Sequence, residues 1–226
     1  MNNPCTETRY VQIFSTGVFL DGIACIPAEA KGIVVFVHGS GSSHHSPRNQ
    51  YVAMTLQEGG LATLLFDLLT PEEESIDQQT HQLRFDIDLL ARRTIGALHW
   101  LGMQPYARGM RIGLFGSSTG AAAALVAAAE LPDGVDTVVS RGGRPDLAIP
   151  LLSNVRAATL LVVGEEDEIV IDLNRDALAQ MQMEVEKKLV IVPGATHLFE
   201  EPGTLEYVSR LARDWFHEHL SPVGVR

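Results

Sequence analysis

Short, continuous apolar runs punctuate the chain, and the stretches between them are amphipathic. Arg9–Ser15 alternates polar and apolar residues, and Val18–Ile26 follows after a glycine, a pattern that predicts an antiparallel hairpin. Beyond it the texture changes. Gly32–Val37, Ala62–Phe66, Arg111–Phe115, Asp136–Val139, Thr159–Val163 and Leu189–Val192 are apolar without a break and rich in β-branched residues. Strands apolar on both faces belong in a parallel sheet covered by helices. Helical patterns separate them: Pro47–Glu58, Ser118–Leu131, Leu173–Met181 and Thr204–Leu220. His81–Leu101 is the clearest, with Leu83, Ile87, Leu90, Thr94, Leu98 and Leu101 at steps of three and four. Arg84, Asp88 and Arg92 on its other faces are spaced for i, i+4 charge pairs. Thr70–Thr80 reads as an acidic, proline-containing loop. The alternation predicts right-handed βαβ units in a doubly wound, mostly parallel α/β sheet, with the hairpin at one edge. No repeat or linker interrupts residues 1–226, so a single domain is expected.

Composition narrows the partners. Hydrophobic residues make up 46% of the 226, enough for a sizeable core. Seventeen Lys and Arg face 28 Asp and Glu, a net charge of −11. That acidity, with no basic patch to offset it, argues against nucleic acid. The longest purely apolar run, Gly120–Ala129, is too short to span a bilayer, so no membrane partner is expected. The N-terminus lacks the basic start and apolar stretch of a signal peptide. Cys5 and Cys25 are the only cysteines, which suits a reducing, cytoplasmic setting while leaving one disulfide open. Oligomeric state is not legible.

In doubly wound sheets chemistry gathers just beyond the carboxyl ends of the strands. After the run ending at Phe115 comes Gly116-Ser117-Ser118-Thr119-Gly120, a G-x-S-x-G turn between strand and helix. Small residues are needed there because the turn is sharp and presents the serine hydroxyl in a strained conformation. The bland alternative is a turn that only caps the Ala-rich helix. After the run ending at Val163 comes Gly164-Glu165-Glu166-Asp167-Glu168, where Asp167 stands out from an otherwise solvated acidic loop because Ile169 and Val170 follow to pin it. After the last run come Gly194-Ala195-Thr196-His197. Serine, acid and histidine in this order, each just past a strand, suit nucleophilic catalysis. Serine attacks, histidine carries the proton, and the acid orients the imidazole. The oxyanion of the tetrahedral intermediate needs two donors, and the backbone N–H groups of Thr119 and of Ser40, in the loop His38-Gly39-Ser40-Gly41-Ser42-Ser43, are the candidates. Asp146 is a weaker alternative acid.

These four motifs, HGSGSS (38–43), GSSTG (116–120), GEEDEIV (164–170) and GATHLFEEPG (194–203), resemble those of α/β-hydrolases of the dienelactone hydrolase type. The likeness runs from Gly32 onward. It implies the α/β-hydrolase fold and a Ser118–Asp167–His197 triad acting on a small ester, lactone or thioester, without metal or cofactor. Dienelactone hydrolases carry a cysteine nucleophile where this chain has Ser118, which points to a serine esterase-like relative. The stretch Ser140–Asp146 also resembles a subgroup in which this domain stands alone or is fused to a phosphoribosyltransferase domain; no such domain is expected within these residues. Acyl transfer through the same triad and a non-catalytic binder on the same fold are the rival functions.

Arg141 and Arg144 follow a strand and could hold a substrate carboxylate, or could simply neutralise Asp146. Arg48 is a third, weaker candidate. His44 and His45 are adjacent on a loop, where neighbouring side chains are expected to diverge and bind no metal. Gly39-x-Gly41 lacks the final glycine of a dinucleotide fingerprint, since His44 stands there. Only Ser140–Ala158 is available where lids are commonly inserted, so no cap domain is expected.

Overall fold

The structure, a computed structural model, describes residues 5–221. Strands β1 (Glu7–Ser15) and β2 (Val18–Ile26) form the expected hairpin, closed by Thr16 and Gly17 at φ 49° and 82°. Two successive positive φ values match the twist of a two-residue hairpin turn. The other strands are β3 (Gly32–Val37), β4 (Ala62–Phe66), β5 (Arg111–Ser117), β6 (Thr137–Arg141), β7 (Ala158–Gly164) and β8 (Lys187–Val192). Their order is β1-β2-β4-β3-β5-β6-β7-β8. Strand β2 meets β4 antiparallel, and every pairing from β4 to β8 is parallel. All residues of β3 and β4 are buried, because helices cover both faces.

The helices are α1 (Pro47–Glu58), α2 (Pro71–Thr80), α3 (Ile87–Gly102), α4 (Thr119–Glu130), α5 (Glu168–Gln180) and α6 (Thr204–Leu220). One core fills the space under α3 and α4, with Ile13, Leu64, Leu98 and Ala123. The other lies under α1 and α6, with Phe36, Val52, Phe115 and Phe216. Helix α4 is buried from Thr119 to Ala129, and its alanines let it press closely on the sheet. A 3-10 segment, Pro145–Asn154, packs against α4 and α5, and no cap domain covers the carboxyl edge in the described residues. No described helix is long and apolar enough to cross a membrane. Cys5 and Cys25 are joined, with Cα atoms 5.5 Å apart, so the disulfide that the composition left open is present.

Several predicted boundaries shift. Thr70–Thr80, expected to be a loop, is helix α2. The Thr70 hydroxyl accepts from the Glu73 N–H and the Glu73 carboxylate accepts from the Thr70 N–H, a capping box with Pro71 at the first helical position. The third helix starts at Ile87 rather than His81, because His81 turns left-handed at φ 59° and Asp86 caps α3 through the Leu89 N–H. Arg84 therefore lies outside α3 and pairs with Asp77, not Asp88. Helix α5 begins at Glu168 rather than Leu173.

Two ion pairs hold α2 against the body. Arg93, on α3 and only 2% exposed, forks both Glu73 oxygens at 2.6 Å and also donates to the Leu68 carbonyl. Asp77 is fully buried and accepts from the Arg84 side chain and from its backbone N–H at 3.1 Å. Burial alone would raise the Glu73 carboxyl, but hydrogen bonds from Arg93 and the Thr70 N–H outweigh it and hold it below its ordinary value. A depressed carboxyl contributes stability at neutral pH that is lost as pH falls through its folded value. Glu73→Gln should therefore lower unfolding free energy by about 2–3 kcal/mol at neutral pH, the cost of stranding a buried guanidinium. Denaturant titrations at descending pH should show wild type and variant converging below the ordinary carboxylate range.

Candidate active site

Ser118 bridges β5 and α4 at φ 50° and ψ −122°, outside the usual regions for an L-residue. Its surroundings impose this conformation. The Ser118 N–H donates to the Arg141 carbonyl at 3.2 Å, and its own carbonyl accepts from Ala121 and Arg144 N–H groups at 3.1 Å each. The turn presses on the end of β3: a side chain on Gly120 would collide with the Val37 and His38 carbonyls, and one on Gly116 with the Ala121 backbone. This is the sharp elbow the G-x-S-x-G pattern predicts.

Asp167 ends the turn after β7, and His197 lies beyond β8. His197 Nδ1 and Asp167 Oδ2 are 2.6 Å apart. An Nδ1–H that donates to the carboxylate leaves Nε2 as the acceptor. The loop that carries His197 is pinned. The Gly194 N–H donates to Glu165 at 2.9 Å, the Thr196 hydroxyl to Glu201 at 2.6 Å, and Phe199 is buried at φ 56°. Gly142, next to the residue that accepts from Ser118, abuts the imidazole: a Cβ there would sit 3.5 Å from His197 Nδ1. The end of β6 thus touches both the serine backbone and the histidine. Among the described residues Ser118 Oγ makes no hydrogen bond, and His197 bonds through Nδ1 alone. Such contacts often close only when substrate binds. Asp146, the alternative acid, is engaged by Arg144.

Ser40 and Thr119 are neighbours, their hydroxyl oxygens 3.0 Å apart. Gly39 lets the loop lie against the elbow, since a Cβ there would stand 2.9 Å from the Ser117 carbonyl. Both ends of this loop are fastened to the residues after β4. His38 is buried. Its Nε2 accepts from the Leu68 N–H at 3.0 Å, and its Nδ1 lies 2.9 Å from the Gly39 carbonyl. Burial pushes this imidazole below its ordinary value, consistent with the neutral form those two bonds require. Asp67 accepts from the His44 N–H at 2.7 Å and from Nδ1 at 2.8 Å. The His44 and His45 rings do not diverge; their centroids are 3.8 Å apart with the planes tilted by 40°. Nothing in the local pattern around Asp67 or Leu68 had singled out these anchors. Among the described residues no cluster of three or more His, Cys, Asp or Glu is grouped to hold a metal.

The two arginines part company. Arg144 forks Asp146 through two bonds of 2.8 Å, which raises its guanidinium pKa further. Arg141 is 7% exposed and, among the described residues, its side chain makes no hydrogen bond and leaves Nη1 unpartnered over the Phe115 ring. Burial first, and the charge of Arg48 second, push it down to about 10. Arg48 bonds Glu200 at 3.0 Å but leaves its own buried Nε unpartnered.

Residues 20–221 match the dienelactone hydrolase family. The chain belongs to that family. A dienelactone hydrolase from Anabaena variabilis is similar along nearly its whole length, with 55% identity, TM-score 0.92, and coverage of 95% of this chain and 99% of that one. Est1E from Butyrivibrio proteoclasticus shares the fold at 16% identity and TM-score 0.79, covering 94% of this chain and 99% of that one. Two Mycobacterium tuberculosis proteins with the provisional name phosphoribosyl transferase are 52% identical over 222 residues, 98% of this chain. The chain spans about half, 49%, of their length, so their name says little about this half. Membership of the family bears out the expectation of an ester-hydrolysing enzyme.

Proposed function

We propose that the chain is a serine hydrolase cleaving a small ester, lactone or thioester through an acyl-enzyme on Ser118. The observation that carries this reading is the His197–Asp167 pair, 2.6 Å apart at the same sheet edge as the strained serine. His197 Nε2 takes the hydroxyl proton as Ser118 Oγ attacks the carbonyl carbon. The carbonyl oxygen becomes an oxyanion that accepts from the Ser40 and Thr119 N–H groups, each worth about 3–4 kcal/mol in such sites. Collapse breaks the ester bond, and His197 returns the proton to the leaving oxygen or sulfur. Water, activated by the same imidazole, then releases the acid and restores Ser118. Asp167 keeps the productive tautomer and stabilises the imidazolium. Acyl transfer would substitute another acceptor for that water.

Arg141 is assigned the further role of anchoring a substrate carboxylate. Arg144 drops out of this role because Asp146 already fills its fork. What favours Arg141 is a buried guanidinium with an unpartnered Nη1 and no acid of its own, one residue from the Gly142 that abuts His197.

A fluorophosphonate probe should label the wild-type protein on Ser118, whereas a pure binder would not react. Ser118→Ala should lose labelling and about 10⁴- to 10⁶-fold of the esterase rate while keeping its fold. Full activity in that variant would sink the mechanism.

Asp167→Asn should cost roughly 10⁴-fold in rate through the wrong imidazole tautomer. Glu166→Gln and Glu168→Gln should be mild; equal damage from either would move the acid.

Arg141→Lys should erase a preference for esters that bear a free carboxylate on the alcohol part over neutral esters of equal size, a loss of about 1.5–3 kcal/mol. An unchanged ratio with lowered stability would make Arg141 purely structural.

A further inference from the structure

We propose that Glu74 determines specificity for the acyl part of the substrate, selecting a hydrogen-bond-donating group, an ammonium ahead of a hydroxyl. The inference rests on the reading of Ser118 as nucleophile and names what that site accepts.

Helix α2 brings Glu72, Glu73, Glu74 and Asp77 to the carboxyl edge. Two of these acids are consumed in holding the helix down, Glu73 by Arg93 and Asp77 by Arg84. Glu72 is exposed. Glu74 is half-buried, and its carboxylate makes no hydrogen bond or ion pair among the described residues. It lines three adjoining hollows around the loop after β3. One contains Ser40 and Thr119, the two residues that would hold the oxyanion. The largest of the three, an open cleft of about 430 Å³, is walled by Ser40, Ser43, His45, Pro47, Arg48 and Glu74. Pro47 and the His45 ring lend it apolar surface beside the serine hydroxyls and the Glu74 carboxylate, so it suits a chain that ends in a polar group.

The charges in that cleft are not balanced. Arg48, on its wall, is bonded to Glu200 and keeps a buried Nε without a partner, and Arg84, which lines the smaller hollow with Ser40 and Thr119, is bonded to Asp77. Glu74 offers four lone-pair sites that meet no side-chain donor among the described residues. A net charge of −11 adds a field that gathers cations and disfavours anions. The wall is also firm. The capping box and the two ion pairs fix α2, so the carboxylate is aimed before substrate arrives.

The direction of the cleft decides which part of the substrate it meets. The leaving oxygen must take its proton from His197, whose loop follows β8 and sits against Gly142 after β6. The alcohol or thiol part therefore extends to that flank. Helix α2 follows β4, on the opposite side of β5 in the sheet. The arm that reaches Glu74 is thus the acyl arm, which stays on the enzyme after the first step.

The test holds the leaving group constant. Purified protein is assayed with 4-nitrophenyl esters of straight-chain acids of four to eight carbons, ending in methyl, hydroxyl, ammonium or carboxylate. At the chain length that reaches Glu74, kcat/KM for the ammonium ester should exceed that for the methyl ester about two- to fivefold, as a partly exposed charge pair allows. The hydroxyl ester should fall between them and the carboxylate ester below the methyl. The ammonium preference should shrink with added salt. Glu74→Gln should bring the ammonium-to-methyl ratio close to one, Glu74→Lys should invert it in favour of carboxylate, and Glu72→Gln should keep the wild-type ratio. Fluorophosphonate labelling of each variant confirms a folded, reactive serine. A wild-type ratio near one at every length, or the same ratio in Glu74→Gln, overturns the proposal and leaves the Ser118 reading standing. Hydrolysis that survives Ser118→Ala removes the reading beneath it.

Discussion

The strained backbone of Ser118 is the constraint on which the site depends. A non-glycine residue held outside the common regions costs on the order of 1–3 kcal/mol and persists only where its neighbours over-determine it. Here they do so from both flanks. Gly116 lets the end of β5 lie on the first turn of α4, Gly120 lets α4 press on the end of β3, and the end of β6 accepts the serine N–H. The same contacts bring the neighbouring groups to one place. Strand β3 leads into the loop with Ser40, and β6 leads into the turn that abuts His197. Relaxing the serine would separate the residues that gather around it.

Around that point the protein spends its polar groups on rigidity. His38 and His44 tie the loop after β3 to Leu68 and Asp67, so a loop of glycines and serines is held at both ends. Glu165 and Glu201 do the same for the turn that carries His197. Arg93 and Arg84 clamp α2. Preorganised donors act without reorganisation at the moment of reaction, which is where most of the rate enhancement in such sites arises. Arg141 and Glu74, among the described residues, stand apart from Arg93, Arg84 and Arg144, each of which is answered by an acid.

Those two lie on opposite sides of Ser118, one past β6 and the other past β4. An unneutralised cation on the side of the leaving group and an unneutralised anion on the side of the acyl group would sort substrates by charge as well as size. The open edge, with only Pro145–Asn154 where a cap could be inserted, leaves size less constrained than charge.

Periodicity and motif spacing were enough to determine the strands, the hairpin and the doubly wound layout, and to single out Ser118, Asp167 and His197 as candidates, of which the structure strains the first and pairs the other two. These depend on local rules: apolar runs that must be covered on both faces, glycines that a sharp turn requires, and polar residues just past strand ends. Helix α2 was written in the sequence as well, in the Thr70–Glu73 capping box, but its acidity and Pro71 gave it the look of a loop. What only the tertiary structure decided was which charges find partners. Arg144 and Asp146 are two residues apart, Arg93 and Glu73 twenty, Arg48 and Glu200 more than a hundred and fifty, and no local pattern ranks those pairings. Whether an arginine or a glutamate is neutralised depends on what the fold brings within about 4 Å of it, and that distance is set by packing.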